Sequence, residues 1–421
     1  MVADLLARNN WRPKGIEDLE PSAWQALRHE GSTLVIAGPG AGKSEFLAQR
    51  AAFLLETGRC PHPFRILAIS FKRDADENLR ERVRSRCSED AASLFDSMTF
   101  DAFTKGIVDR FRDALPAAWR PNSPYEVSFP TRRQVDAFLQ EARDLAPHRW
   151  QSQIASFMAS TFEPQIVGGY RLPTGPIEPR SGLDFAVKLW WEERLGTERP
   201  RLTFTCLNRL AEILIRVNPQ LRQAIRITYP YVFVDEFQDT THAQYDILSS
   251  AFAGSESEIT AVGDDKQRIM AWAGARVDAF TAFERDFASL RIPLKQNYRS
   301  SPALVQLQQV IARAIDDAAP DVESKAPSEI SDDVAQIWNF ENSNEEALHV
   351  AHWLRYDMST RGTQPRDYAF LVRQKADEFE DRLGEEFERV KLQIRNERRR
   401  TGKVDNQIEN WYPVCSRERR K

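Results

Sequence analysis

The sequence predicts an α/β protein: a parallel-sheet domain built around a phosphate loop, carrying a mostly helical insertion and followed by part of a second α/β domain. Three observations predict it. Short β-type apolar runs at Thr33–Ile36, 66–69, Tyr231–Val234 and 259–262 each lead into a polar turn and then a helical or loop segment. A glycine-rich string, A-G-P-G-A-G-K-S at residues 37–44, stands between the first run and a helical stretch, 45–55. The run Tyr231–Val234 ends on an acidic pair, Asp235 and Glu236. The runs are continuous rather than alternating, which suits strands covered on both faces, as in a parallel sheet.

The chain has 421 residues, more than one compact core takes, so two to three domains are expected. A hydrophobic content of 42% with 29% charged residues is that of an ordinary globular protein. The net charge of −4 shows no overall basic character, although a local basic stripe can still contact phosphates in an acidic protein. The cysteines, Cys60, Cys87, Cys206 and Cys415, have no paired spacing, which argues against a zinc site or disulfide framework and fits a reducing compartment. The opening residues M-V-A-D-L-L-A-R-N-N-W-R lack the apolar core of a signal peptide. No apolar run approaches the roughly 20 residues of a membrane span. A soluble, cytoplasmic protein is the expectation.

Residues 112–200 contain Trp119, Trp150, Trp190 and Trp191, several prolines and many charges, with few strand signals, and are expected to form a mostly helical insertion. A second strand–helix pattern follows Arg291. Residues 334–340 and 368–372 are expected to be strands. Residues 345–356 place apolar side chains at 347, 350, 351 and 354, the spacing of an amphipathic helix. Residues 388–421 hold 11 Lys/Arg against 5 Asp/Glu, a net +6, and are expected to form a solvated basic end. The expected division is 1–111 with 201–281, 112–200, 282–385 and a tail at 386–421.

The 37–44 string sits in the strand–loop–helix context that phosphate binding requires. Its glycines, Gly38, Gly40 and Gly42, let backbone N–H groups turn inward around phosphate oxygens. The following helix N-terminus adds positive dipole character. Lys43 can reach the β and γ phosphates, and Ser44 can place its hydroxyl on Mg²⁺. Ala37 occupies a position where the consensus has glycine. At the other strand end, Asp235 is suited to hold Mg²⁺ and Glu236 to polarise an attacking water as general base. Strand C-terminal ends are where open α/β sheets place their ligands.

With D-E-F-Q-D-T at 235–240 downstream of G-K-S, the chain resembles the UvrD/Rep-like DNA helicases of superfamily 1. The resemblance implies two RecA-like domains with ATP between them, and further motifs in a set order. I-L-A-I-S-F-K-R-D-A-D-E-N-L-R-E-R-V (66–83) resembles motif Ia, with Phe71 in the base-stacking position. M-T-F-D-A-F (98–103) resembles motif Ib, with Thr99 and Phe100 facing DNA and Asp101 where histidine is common. A-V-G-D-D-K-Q-R-I-M-A-W-A-G-A (261–275) resembles motif III. There Gln267 matches the glutamine that senses the γ-phosphate and Trp272 the tryptophan that stacks on DNA, while Met270 and Ala273 replace the family's tyrosine and arginine. L-K-Q-N-Y-R-S-S (294–301) resembles motif IV, with Tyr298 matching the adenine-stacking tyrosine and Arg299 the arginine that reaches the γ-phosphate. Gln25, in L-E-P-S-A-W-Q-A-L (19–27), is assigned to adenine reading, two residues later than a gapless match, and Glu45 replaces an arginine common after the loop hydroxyl.

The resemblance covers roughly residues 16–380 and implies ATP and Mg²⁺ as cofactors, single-stranded DNA or DNA junctions as partners, and 3′ to 5′ movement in DNA repair, replication or recombination. Motifs V and VI, with the second catalytic arginine, are not found, and a truncated member is expected. Two further readings stay open: an ATP-dependent single-stranded DNA-binding module that does not unwind, and the helicase part of a RecB/AddA-like nuclease–helicase, towards which G-D-D-K-Q leans.

Overall fold

In a computed structural model of the chain, residues 10–326, 334–372 and 376–396 are described. They fall in two compact units, Met1–Val334 and Ala335–Lys421. No helix among the described residues is long and apolar enough to cross a membrane.

Ten strands are described: β1 (Thr33–Ile36), β2 (Ile66–Ser70), β3 (Phe95–Thr99), β4 (Glu126–Val127), β5 (Arg201–Leu202), β6 (Tyr231–Val234), β7 (Glu258–Gly263), β8 (Leu290–Pro293), β9 (Gln296–Asn297) and β10 (Glu323–Ser324). Six of them form one sheet in the order β3-β2-β6-β7-β1-β8. Every neighbouring pair in it is parallel. The four apolar runs read from the sequence are its four central strands. Alternate side chains along a strand point to opposite faces, and both faces here are covered. Leu34 and Ile36 of β1, Leu67 and Ile69 of β2, and Val232 and Val234 of β6 enter one core. Val35, Ile66, Ala68, Tyr231 and Phe233 enter the other. Continuous apolarity is therefore the consequence of a two-sided core.

The second core is closed by the helix Lys43–Glu56, whose residues Phe46 to Leu55 are all buried. Its fully buried Arg50 donates to the Leu27 carbonyl (3.1 Å) and to Glu258 (3.5 Å). The first core is closed by Phe204–Val217 and by helices of the 112–200 region, including Arg132–Leu145 and Gly182–Leu195. Trp190 and Trp191 of that region are fully buried, and Trp119 stands edge-on to Trp191 with ring centres 5.6 Å apart. The tryptophans thus hold the insertion together, Trp190 standing edge-on to Phe138 and Phe162 of the same region.

Three sequence expectations are corrected. Residues 290–293, placed in the second domain by the division at 282, form β8, the edge strand beside β1; a parallel neighbour eight residues beyond that division keeps the chain in the first sheet. Residues 334–340 and 368–372 form no strand, because apolar, β-prone segments become strands only where a ladder partner is present, and among the described residues neither has one. The tail is folded at its start. The helix Ala376–Arg389 packs Leu383 and Phe387, with Leu392, against Ala347, Ala351 and Leu354 of the helix Ser343–Arg361. That longer helix contains the expected 345–356 segment, is capped by Asn342 and stops at Gly362 with φ +67°. Residues 397–421 of the expected tail lie outside the described residues.

Candidate functional site

The ends of β1, β6 and β7 and the segment after β8 converge on the glycine-rich loop 37–44. The Ala37 N–H donates to the Gly263 carbonyl (2.9 Å), which continues the β1–β7 pairing into the loop. Ala37 is fully buried, its methyl packed in the core, so the extra carbon over the consensus glycine is accommodated. Gly42 has φ +79° and opens the helix Lys43–Glu56, accepting from Phe46 N–H (2.9 Å). Gly40 has φ +76°, and a Cβ there would overlap Asn297 Oδ1 and stand 2.9 Å from Arg299 Cβ. Only glycine fits this point, for both conformation and space. Gly38 lies beside Asp264, at ordinary contact distance.

The loop is capped by the 297–300 segment. Asn297 is 1% exposed; its Nδ2 donates to the Pro39 carbonyl (2.9 Å) and its Oδ1 accepts from the Arg299 and Ser300 N–H groups (both 2.9 Å). Tyr298 N–H donates to the Gly40 carbonyl (2.9 Å). These bonds hold Tyr298 and Arg299 against the loop, with the Tyr298 ring 48% exposed and its edge 3.8 Å from where a Gly42 Cβ would be. Arg299 is exposed.

Lys43 Nζ spans the loop, 3.5 Å from the Ala37 carbonyl and 3.6 Å from Glu236 Oε2. Ser44 follows it, half-buried. Asp235 is 4% exposed; its N–H extends the β6–β2 ladder to Ile69 (3.0 Å) and its Oδ1 accepts from Glu236 N–H (2.9 Å). Burial, then the adjacent Glu236, push its carboxyl up to about 6, against the opposing Glu236 N–H and Lys43 ammonium. Burial and Glu236 likewise push Asp239 up to about 6, opposed by Lys72 and Lys43. Burial raises Asp264, opposed by Lys266 and Lys43. Carboxylates crowded out of water gain from a cation. A nearly buried carboxylate with a single backbone donor, at a strand end, is a fitting Mg²⁺ ligand. Among the described residues no group of three or more His, Cys, Asp or Glu could hold a metal by itself.

Glu236 adopts φ +49°, a left-handed conformation rare for a residue with a Cβ, and turns its carboxylate towards Gln238 Nε2 (2.7 Å) and Lys43. Gln238 is buried, and its Oε1 accepts from the Asp264 N–H (3.0 Å). A Cβ at Gly263 would stand 2.6 Å from that oxygen. Gln238 therefore joins the acidic strand end to the motif III segment. Sequence reasoning did not single it out, nor Asn297, although both stand inside the quoted strings D-E-F-Q-D-T and Q-N-Y-R.

Gln267 ends the short turn Asp265–Gln267, half-buried, its N–H on the Asp264 carbonyl (3.0 Å). Gln25 is on the exposed face of the helix Pro21–Arg28. The residue of that segment joined to motif IV is instead Glu20, whose carboxylate accepts from the Lys295 (2.8 Å) and Gln296 (2.7 Å) N–H groups. Glu45 binds Arg82 (2.9 Å), Arg86 (3.1 Å) and Gln49 (2.7 Å), an interaction set that a family arginine would not make.

Of the four residues expected to face DNA, Phe71 is half-buried just past the end of β2, and Trp272 is half-buried on the turn Ala271–Ala273. Thr99 is half-buried and caps the helix Phe100–Phe111, its Oγ1 accepting from Ala102 N–H (3.2 Å). Phe100 is corrected: it is 4% exposed and belongs to the core, in one stripe with Phe103, Ile107 and Val108, so its ring has no face left for a base. Met270, where the family has tyrosine, is buried as well.

A model of the UvrD/REP helicase N-terminal domain matches residues 19–288. The ATP-dependent DNA helicase UvrD1 of Mycobacterium tuberculosis is 32% identical over 312 residues, 71% of this chain and 40% of that protein. PcrA of Bacillus subtilis is 26% identical over 379 residues, 86% of this chain and 48% of that protein. Rep of Escherichia coli is 26% identical over 363 residues, 84% of this chain and 52% of that protein. The chain thus spans about two-fifths to half the length of these relatives. The match runs through the phosphate loop, the acidic strand end and the Trp272 turn, and by it the chain belongs to the UvrD/REP helicase family.

Proposed function

We propose that this chain binds and hydrolyses ATP with Mg²⁺ and couples the cycle to single-stranded DNA, as part of a helicase or translocase of the UvrD/Rep type. The observation that carries the reading is the convergence on Lys43, whose ammonium lies between the loop carbonyl of Ala37 and the carboxylate of Glu236. In that reading the backbone of 38–42 cradles the phosphates and Lys43 neutralises the β and γ oxygens. Mg²⁺, held by Ser44 and Asp235, would offset the remaining phosphate charge. Glu236, set by its backbone turn and by Gln238, orients and deprotonates the attacking water. Gln267 and Arg299 face the γ-phosphate, and Tyr298 stacks on adenine. Phe71 and Trp272 grip single-stranded DNA.

The domain division that goes with it is a nucleotide-binding domain of 1–111 and 201–293, an insertion of 112–200, and a second domain beginning after β8. Movement with 3′ to 5′ polarity rests on the family resemblance. ATP turnover by the full chain, with and without an oligothymidylate, tests the reading. Turnover that rises with DNA and is lost in Lys43→Ala supports a motor. DNA binding that depends on ATP without stimulated turnover favours the non-unwinding binding module. ATP binding unchanged in Lys43→Ala overturns the site itself.

A further inference from the structure

The inserted helical region contains one π-helical turn, Phe162–Val167. Such turns insert a residue into a helix and recur at functional positions. This one is fixed at both ends. Phe162 is fully buried among Trp190 (5.4 Å between ring centres), Phe138 (5.6 Å) and Phe157 (5.9 Å). Beyond the other end, the Gly168 carbonyl accepts from Arg209 Nε (2.7 Å), and Arg209 is itself paired with Asp246 (2.7 Å).

Between those anchors the turn presents two backbone-directed contacts to the segment that carries Trp272. Gln165 Nε2 donates to the Ala271 carbonyl (3.1 Å). The Pro164 carbonyl lies against Gly274, whose φ is +86°; a Cβ at Gly274 would overlap the Pro164 oxygen and stand 2.9 Å from its carbonyl carbon. The two contacts flank Ala271–Ala273 on either side of Trp272. The far side of the same turn is tied to the segment that follows the acidic strand end: His242 N–H donates to the Gly274 carbonyl (3.3 Å), Arg276 N–H donates to the Thr240 carbonyl (2.8 Å), and Thr241 bridges Ala275. The Trp272 turn is therefore held between the insertion and the nucleotide side of the sheet.

We infer that the π-helical turn is the seat that sets the position of Trp272, with Gln165 a positioning residue for single-strand binding and Gly274 the point of closest approach. This rests on the reading of Trp272 as a DNA contact. A side chain at the insertion thereby controls affinity at a site formed by the sheet domain. Gln165 is exposed, so changing it leaves the core intact.

The test is oligothymidylate binding and DNA-stimulated ATP turnover of the full chain carrying Gln165→Met, Gly274→Ala or Trp272→Ala, and the Gln165→Met/Trp272→Ala double variant. Gln165→Met keeps length and removes the donor. It is expected to raise the half-saturating DNA concentration about 3- to 10-fold, the range for one hydrogen bond, with turnover in the absence of DNA and the unfolding midpoint unchanged. Gly274→Ala is expected to raise it more than Gln165→Met does. In the Trp272→Ala background Gln165→Met is expected to add nothing, because both changes act through one ring. Wild-type DNA affinity in Gln165→Met, or full additivity in the double variant, overturns the inference while leaving the Trp272 reading standing. Wild-type affinity in Trp272→Ala overturns both. Should Gly274→Ala fail to fold, Gln165→Met and the double variant still decide the matter.

Discussion

Asn297 is the residue through which the phosphate loop and the motif IV segment depend on each other, and its replacement separates stability from affinity. The side chain is almost fully buried and makes three bonds to backbone: one donated to Pro39 and two accepted, from Arg299 and Ser300. Asn297→Ala deletes all three and leaves the partners without them; Ser300 among those is itself buried. At about 1 kcal/mol net for each bond, the loss is about 3 kcal/mol. Part of it falls on global stability. The rest falls on the order of the loop that, in the proposed function, presents its N–H groups to phosphate. A tenfold or greater rise in the dissociation constant for ATP corresponds to half of that energy, since about 1.4 kcal/mol is one decade. Asn297→Asp is the informative partner. It keeps both accepted bonds but turns an oxygen on the Pro39 carbonyl and buries a charge, so its stability loss is at least the about 1 kcal/mol of the lost donated bond, and the negative charge beside the loop repels the nucleotide. The assay is isothermal calorimetry with ATP and Mg²⁺ alongside urea unfolding. Both variants are expected to lose stability, and Asp is expected to be affected in affinity beyond its stability loss. An Asn297→Ala protein with wild-type midpoint and wild-type ATP affinity refutes the reasoning.

Lys43→Ala is expected to remove nucleotide turnover while the unfolding midpoint stays within about 0.5 kcal/mol of wild type, the usual range for a partly exposed site; retained turnover would sink the assignment. Trp272→Ala is expected to weaken single-strand binding by about 1–3 kcal/mol, the value of one base–aromatic stack, and titration of a labelled oligonucleotide reads it directly. Asp101 gives a pH test. Burial pushes its carboxyl up to about 6 from an ordinary value of 3.8, the Asn208 hydrogen bond and the Arg73 charge opposing the rise. The folded state then holds this proton more tightly than the unfolded chain does. The stability this confers is complete below the ordinary value and disappears as pH rises through about 6. Asp101→Asn is expected to flatten that part of the stability profile and to raise stability at pH 7 by on the order of 1–2 kcal/mol. A wild-type slope between pH 4 and 6 in the variant would remove Asp101 as its source.

The strands and the glycine-rich turn between β1 and the helix Lys43–Glu56 were legible because their determinants are local. Four continuous apolar runs can be buried only by cover on both faces, and they are the four central strands. G-K-S after a strand and D-E at the end of another carry their chemistry in adjacent residues. Phe100 was misread for a related reason: motif position suggested a surface ring, whereas the stripe it shares with Phe103 and Ile107 turns it inward. Residues 334–340 and 368–372 have strand composition, but composition supplies no ladder partner.

What the chain's own order determined is which segments become strands, where the glycine-rich loop 37–44 lies and which strand ends in Asp235 and Glu236, since each depends on side chains within a few residues of one another. Tertiary structure alone decided that Asn297 closes over Gly40, that Gln238 joins Glu236 to Asp264, and that Pro164 and Gln165 bear on the Trp272 turn. The first two are brought together by parallel strand order, β1 beside β8 and β6 beside β7, and the third by the helical insertion meeting the Trp272 turn. Separations of up to 258 residues along the chain carry no trace of such contacts until the sheet has formed.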